Sequence, residues 1–339
     1  MESVVLYNEI PDEGLVSGWK KFVKGHPAGT LFQSPEFYSL WLKVRGYSPV
    51  AVIIHDNNEV RGVMQGVIIG NPLPAARFFS SRAIFWNTPL VEGNDDEITE
   101  KLIEGIDKSL KGHVIYAEIR NPEIKISSQG FIAHGYKEIA HLDIYNDLTL
   151  TESEMFGAIH KERRRNIGRA LKKGVTVRIT TDIREIEYGA GLIRRLYRRI
   201  GLPAPPSGLL ECAASDLGDS IKIFVAEYEK KIIGARFVLL FRDVVYDWYA
   251  GSDPEFHNKY VNDLMPWDVM SWSSKNGFKI FDFGGAGSPD EDYGVRDYKL
   301  RYGGKLTTTV RYRKVFNHVL MWGGEIGIKV IRIIKKISR

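Results

Sequence analysis

The strongest constraint in this 339-residue sequence is that it carries one pattern twice. Residues 49–69 read PVAVIIH, a polar DNNE turn, then VRGVMQGVII, which predicts a β-hairpin of two apolar strands. Residues 221–241 read IKIFVAEY, a short EKK turn, then IIGARFVLLF, with Gly62 and Gly234 at matching places 172 residues apart. After the first hairpin come an aromatic strand (AIFWNTPL), an acid-capped amphipathic helix over about 95–111 ending at Gly112, and the apolar strand HVIYAEI. After the second come VVYDWYAGS, a helix over about 262–276 ending at Gly277, and FKIFDFGG; the two closing glycines are 165 residues apart. Conserved order and spacing over several elements predict two copies of one α/β domain, which suits a chain longer than one typical domain.

The boundary is expected near 148–152. There Asn146-Asp147 gives a turn signal, and Thr151-Glu152-Ser153-Glu154 supplies a capping box to open a basic helix. GLPAPPSG (201–208) reads as a loop between a helix ending near Arg199 and the helix or turn that holds Cys212. Cys212 is the single cysteine, so an intramolecular disulfide and a Cys-rich zinc site are excluded. MESVVLYNEIPDEG lacks the basic and apolar regions of a signal peptide. With 44% hydrophobic and 26% charged residues the composition is globular, and a cytoplasmic location is expected.

The net charge of +5 is unevenly placed. Residues 311–339 hold eight Lys/Arg against Glu325, a local +7, so the other 310 residues sum to −2. A second basic block, His160–Lys173, has seven Lys/Arg and one acid, and each block is suited to an anionic partner. In the tail, Ile326, Val330, Ile333, Ile334 and Ile337 form an apolar stripe with Lys329, Arg332, Lys335, Lys336 and Arg339 on the remaining face. That is a basic amphipathic helix over 326–339, too short to span a bilayer and suited either to an anionic membrane surface or to packing on the first domain.

Several chemistries lose support by absence: there is no GxSxG, HExxH, paired CxxC or Walker GxxxxGK[ST] sequence. The eight histidines lie without ligand spacing, so no metal is assigned. The richest segment is FDFGGAGSPDEDYGVRDYKLRYGG (281–304), in which a buried strand runs into a glycine loop, an acidic turn, a short basic-aromatic helix and a Gly-Gly stop.

This segment resembles the C-terminal signature of the Fem-type aminoacyl-tRNA-dependent peptidyltransferases, which build peptidoglycan cross-bridges and are related to GNAT acetyltransferases. Other pieces agree with the resemblance: Phe32-Gln33-Ser34-Pro35 before a helix, Arg163-Arg164-Arg165-Asn166-Ile167, and Tyr249-Ala250-Gly251-Ser252-Asp253 followed by Asn262-Asp263-Leu264-Met265. The resemblance implies an α/β (α+β) fold of two tandem GNAT-like domains, mixed sheets flanked by helices. The first would cover 1–148, completed by 310–339, and the second 149–309. With only about twenty residues between the 185–200 helix and the next strand, the chain looks like the compact type without a long helical arm.

It also implies the activity: transfer of an amino acid from aminoacyl-tRNA to an amine of a peptidoglycan precursor or related envelope acceptor, with no bound cofactor. Lys299 matches the lysine that the resemblance places at the reacting ester. A lysine of the first domain and an arginine of the second would grip the acceptor phosphates; the local matches are Lys43 and Arg198 or Arg199. Lys161, Arg163, Arg164, Arg165 and Arg169 are the candidates for donor or tRNA phosphates. Arg301, roughly 200° around the helix from Lys299, is expected in an ion pair or at the surface. Asp290, Glu291 and Asp292 are explained by capping the helix that follows. Trp86, Trp248, Tyr249 and Phe283 are core residues or the lining of a substrate groove. Two other readings stay open. A CoA-dependent N-acyltransferase acting on an aminosugar would share the fold, but the loops VEGNDDEIT and SDPEFHNKYVND lack the glycine pattern that binds pyrophosphate and are acidic. A catalytically inactive membrane-associated scaffold would tolerate replacement of Lys299.

Overall fold

The computed structural model describes every residue except Asn58, Pro72, Leu73, Phe78, residues 121–127 and residues 325–339. The amphipathic helix expected over 326–339 therefore lies outside the described residues. The chain divides into two compact units, Met1–Ile139 with the chain from Val310 onward, and Ala140–Thr309.

The first unit runs β1 (Glu2–Tyr7), α1 (Glu13–Gly25), α2 (Pro35–Leu42), β2 (Tyr47–Asp56), β3 (Glu59–Ile69), α3 (Pro74–Arg77), β4 (Arg82–Trp86), β5 (Leu90–Val91), α4 (Asp96–Leu110), β6 (Tyr116–Arg120) and α5 (Ser128–Ala133). Strand β7 (Lys137–Asp147) leads into the second unit. There follow α6 (Glu152–Ala158), α7 (Lys161–Lys172), β8 (Thr176–Ile179), α8 (Ile183–Ile200), α9 (Leu209–Asp216), β9 (Ile221–Tyr228), β10 (Lys231–Phe241), β11 (Val244–Ser252), α10 (Val261–Lys275), β12 (Ile280–Gly285) and α11 (Gly294–Leu300). Strand β13 (Lys305–Val315) returns the chain to the first unit.

The two units have the same topology. Within the first the strand order is β1-β2-β3-β4-β6-β13, with β5 also on β3; within the second it is β8-β9-β10-β11-β12-β7. The first three pairings are antiparallel in both. The fourth is parallel, β4 with β6 and β11 with β12, and the last is antiparallel. Strands β2, β3 and β10 are buried along most of their length, which is why they read as continuous apolar runs and not as alternation.

The matching glycines have matching causes. In each hairpin the register slips one residue before the glycine, at Arg61 and at Ile233. A Cβ on Gly62 would meet Ile98 Cγ2 at 2.6 Å and Leu102 Cδ1 at 3.1 Å; one on Gly234 would meet Val261 Cγ1 at 2.6 Å and Met265 Sδ at 3.0 Å. In both units the helix that precedes the parallel strand, α4 before β6 and α10 before β12, lays two residues, one turn apart, over the missing side chain. Helix α4 is placed by its N-cap, where Asp95 Oδ1 accepts from the Glu97 and Ile98 amides at 2.8 and 3.2 Å. It buries Ile98, Leu102, Ile103, Ile106 and Leu110 on one face.

Two expectations are corrected. The capping box of Thr151 and Glu154 exists, but it opens the short α6 and not the basic helix. Ile159 and His160 adopt extended backbone, which turns Ile159 inward to 1% exposure. Helix α7 then starts afresh, with His160 accepting from the Glu162 amide. Asn146-Asp147 is not a turn: both residues belong to β7 and pair with Phe281 and Ile280, and Asn146 Nδ2 donates to the Tyr302 carbonyl at 2.8 Å. The division between the units falls at Ile139/Ala140.

Candidate active site in the second unit

The parallel ladder of β4 and β6 runs for five residue pairs, but that of β11 and β12 stops after three, at Tyr246–Asp282. Just beyond that point both strands are irregular. Opposite β10, Trp248 is an extra residue between Asp247 and Tyr249. Opposite β7, Phe283 and Gly284 together face one residue. Gly284 takes φ +73°, a conformation that favours glycine, and Asp282 Oδ1 accepts its amide at 2.7 Å. Paired bulges at this level end the ladder and re-aim the side chains that follow. A Cβ at Gly284 would lie 3.7 Å from Tyr246 Oη and 3.8 Å from Lys299 Nζ, so these two polar groups border the space that glycine leaves open.

Lys299 comes from α11, and the position of α11 traces to a proline in another helix. Pro266 sits inside α10 and has no N–H to give the carbonyl of Asn262, four residues earlier. That carbonyl instead accepts from Tyr298 Oη at 2.6 Å and Tyr302 Oη at 2.8 Å. The two tyrosines flank Lys299 in sequence, so the lysine is held between anchored residues. Its Nζ donates to the Gly285 carbonyl at 2.9 Å and lies 5.6 Å from the Phe283 ring centroid. Burial lowers the Lys299 pKa and is the largest influence; Asp247, Asp282 and Asp143 act the other way, while Arg236 adds to the lowering.

A buried ion pair backs the lysine. Arg236 on β10 and Asp247 on β11 meet at 2.6 Å with side chains 5% and 10% exposed. The Arg236 guanidinium stands 5.9 Å from the Phe283 centroid. Tyr197, on α8, packs against Tyr249 with tilted rings 5.7 Å apart, and burial beside Asp247 pushes its phenol up to about 12. Arg236, Asp247 and Tyr197 were not singled out in sequence. Their signal is a lone Arg inside IIGARFVLLF and a lone Asp inside VVYDWYAGS, each charge needing the other if both strands are central.

The other candidates are scattered. Arg163 is turned inward: it pairs with Asp263 at 2.6 Å, with side chains 19% and 8% exposed, and its guanidinium covers the Tyr298 ring at 5.0 Å. It braces α7 against α10 and α11. Lys161, Arg165 and Arg169 are exposed on α7, Arg164 is half-buried, and Arg169 lies 5.7 Å from the Tyr260 ring. Arg198 and Arg199 are exposed in the last turn of α8. Lys43, in the first unit, is exposed at the end of α2. Arg301 pairs with Glu162 at 3.0 Å. Phe283 is core at 2% exposure, and Trp86 stacks on Phe32 and Trp41 within the first unit, whereas Trp248 and Tyr249 are half-buried.

Residues 160–300, which hold this site, match the family model described as an acetyltransferase (GNAT) domain. Over 314 residues the chain is 22% identical to the UDP-N-acetylmuramoylpentapeptide-lysine N(6)-alanyltransferase of Weissella viridescens, covering 85% of this chain and 89% of that protein. It is also 19% identical over 376 residues to the lipid II:glycine glycyltransferase of Staphylococcus haemolyticus, covering 85% and 88%. Over most of its length this chain is similar to the Fem-type, GNAT-related transferases. The Fem-type fold extends over nearly the whole molecule: the crystal structure of FemX superposes with a TM-score of 0.69 at 17% identity, covering 94% of this chain and 98% of that one. The segment between α8 and β9 holds a loop and the eight-residue α9, with no long helical arm among the described residues. Among the described residues no helix is long and apolar enough to cross a membrane.

Proposed function

We propose that this enzyme transfers an aminoacyl group from the ester of an aminoacyl-tRNA to a primary amine of a peptidoglycan precursor, without a bound cofactor. The observation that carries the reading is the placement of Lys299, anchored between Tyr298 and Tyr302 at the point where β11 and β12 part. In such a transfer the neutral acceptor amine attacks the ester carbonyl, negative charge builds on its oxygen, and the C–O bond to the ribose breaks as the amine's proton passes to the departing oxygen. A half-buried cation next to that oxygen stabilises the charged intermediate, and burial strengthens the effect. Lys299, whose charged form burial disfavours and Asp247, Asp282 and Asp143 partly restore, is the residue for this role. The named relatives, which add alanine to a muramoylpentapeptide lysine and glycine to lipid II, support an envelope acceptor bearing an amine.

Lys161, Arg164, Arg165 and Arg169 on α7 are the proposed contacts for tRNA phosphates, and Lys43 with Arg198 or Arg199 for acceptor phosphates. Peripheral contact with an anionic membrane through 326–339 would bring the enzyme to a lipid-linked acceptor. The CoA-dependent alternative is disfavoured by the first turn of α10, where a pyrophosphate would need open amides: Asp263 already places a carboxylate there, paired with Arg163. The test is to offer UDP-N-acetylmuramoylpentapeptide with a panel of charged tRNAs and, separately, with acetyl-CoA. Mass spectrometry should find an aminoacyl adduct on the peptide amine; an acetyl adduct in place of it would overturn the reading.

A further inference from the structure

The charged side chains gathered at Lys299 do not balance. Lys299 and Arg236 are two cations, and after burial the groups that act most strongly on Lys299 are three carboxylates, Asp247, Asp282 and Asp143. Two of the three accept from groups of the protein: Asp282 Oδ1 from the Gly284 amide at 2.7 Å, and Asp143 Oδ2 from the Thr309 hydroxyl at 2.9 Å. Asp247 is met on one side only. Its Oδ2 accepts from Arg236 Nη1 at 2.6 Å, whereas its Oδ1 is buried and has no hydrogen-bond partner among the described residues. A buried carboxylate oxygen carries the full cost of desolvation until a donor reaches it.

The surroundings of Asp247 say what kind of donor fits. It follows Tyr246 on β11, and Tyr246 Oη borders the open space over Gly284 together with Lys299 Nζ. Arg236, itself 5% exposed and 5.9 Å from the Phe283 ring centroid, fixes the carboxylate through Oδ2, and the Asp247 side chain keeps 10% exposure. Three carboxylates against two cations leave a deficit of one positive charge, so a cation suits Oδ1 better than a neutral donor does. An aminoacyl ester carries such a cation. Its α-ammonium is bonded to the carbon next to the ester carbonyl, so a donor whose carbonyl oxygen faces Lys299 brings one positive charge to this neighbourhood.

We propose that Asp247 is a specificity-determining residue that accepts a hydrogen bond from the α-ammonium of the aminoacyl donor, so that the site selects acyl esters with a free α-amine. The assignment rests on the aminoacyl-transfer reading above and adds to it the part of the donor that is recognised. Two consequences follow for the chemistry. Held as an ammonium, the donor's own nitrogen has no lone pair to offer and does not compete with the acceptor amine. Its positive charge also draws electrons from the carbonyl carbon and favours attack there. Arg236 is a positioning residue that sets the direction of Oδ1.

The test offers the full chain three forms of bulk charged tRNA with UDP-N-acetylmuramoylpentapeptide as acceptor: untreated, N-acetylated with acetic anhydride, and deaminated with nitrous acid to the α-hydroxyacyl ester. The unaltered protein should transfer from the untreated donor about 100-fold or more faster than from either modified one. In Asp247→Asn that preference should shrink at least tenfold, through loss on the untreated donor alone. Comparing the ratio between the two proteins cancels the intrinsic reactivity of each ester. Should Asp247→Asn fail to fold by circular dichroism, Asp247→Asn combined with Arg236→Met removes the stranded guanidinium and is read in the same way. Equal losses on the untreated and hydroxyacyl donors would mark Asp247 as structural and overturn the proposal, and so would acetylated donor used as fast as untreated by the unaltered protein; in both cases aminoacyl transfer itself stands. Transfer from none of the charged tRNAs would instead overturn the aminoacyl reading, and this assignment with it.

Discussion

The carbonyl of Asn262, deprived of a helical donor by Pro266, accepts hydrogen bonds from both Tyr298 and Tyr302. A carbonyl has two lone pairs, so these phenols saturate it, and an added amide donor must displace one. Pro266→Ala supplies that donor while improving helix propensity. We expect it to keep or raise thermal stability while lowering kcat about tenfold or more through displacement of Lys299. An unchanged kcat would show that the tyrosine anchor does not set the site.

Gly62→Ala and Gly234→Ala should each destabilise the protein by about 1–3 kcal/mol in denaturant titrations, because the new methyl group would sit 2.6 Å from Ile98 or Val261. Ile98→Ala should relieve the first and Val261→Ala the second, each double variant losing less than the sum of its singles. Strictly additive losses would mean that the glycines serve some other end.

Arg163 and Arg165 are two residues apart on α7 but should behave oppositely. Arg163→Met strands the buried Asp263 carboxylate and should cost about 3 kcal/mol of stability. Arg165→Gln, on the exposed face, should leave stability within about 0.5 kcal/mol and reduce the salt sensitivity of tRNA binding.

Two carboxyl groups should give opposite pH signatures. Burial raises the Glu118 pKa, but Arg120, Arg313 and Arg311 outweigh it and hold the group at about 2. Its pKa is depressed on folding, so its stabilisation is present above the unfolded value of about 4.3, is lost as pH falls toward 2, and amounts to about 3 kcal/mol. Asp268 on α10 is pushed up to about 6 by burial, with Lys275 opposing. Ionising it favours the unfolded chain, so the native state is penalised above about pH 6 and relieved between 6 and 4. Asp268→Asn should therefore stabilise by about 1–2 kcal/mol at pH 7 and by nothing at pH 4. Glu118→Gln should destabilise at pH 7 and converge on the unaltered protein near pH 2.

The repeat was legible because both hairpins are buried on two faces and must each carry a glycine where a helix crosses. The strand order followed from hairpins and crossovers of ordinary length. Lys299 was legible only through the resemblance, since a lysine in a short amphipathic helix has no intrinsic signature. Arg236 and Asp247 went unread because their pairing depends on the bulge at Trp248, which sequence spacing does not announce. The break between α6 and α7 was missed for a similar reason: it exists to bury Ile159, a tertiary demand that overrides a continuous helical pattern.

The most direct test of the central claim compares the unaltered enzyme with Lys299→Met in single-turnover transfer from aminoacyl-tRNA to a muramoylpentapeptide acceptor. Loss of one positioned donor to a developing oxyanion is worth about 10²–10³ in rate. The account predicts a fall of that size with folding and acceptor binding intact; transfer by Lys299→Met within a few-fold of the unaltered rate would contradict it.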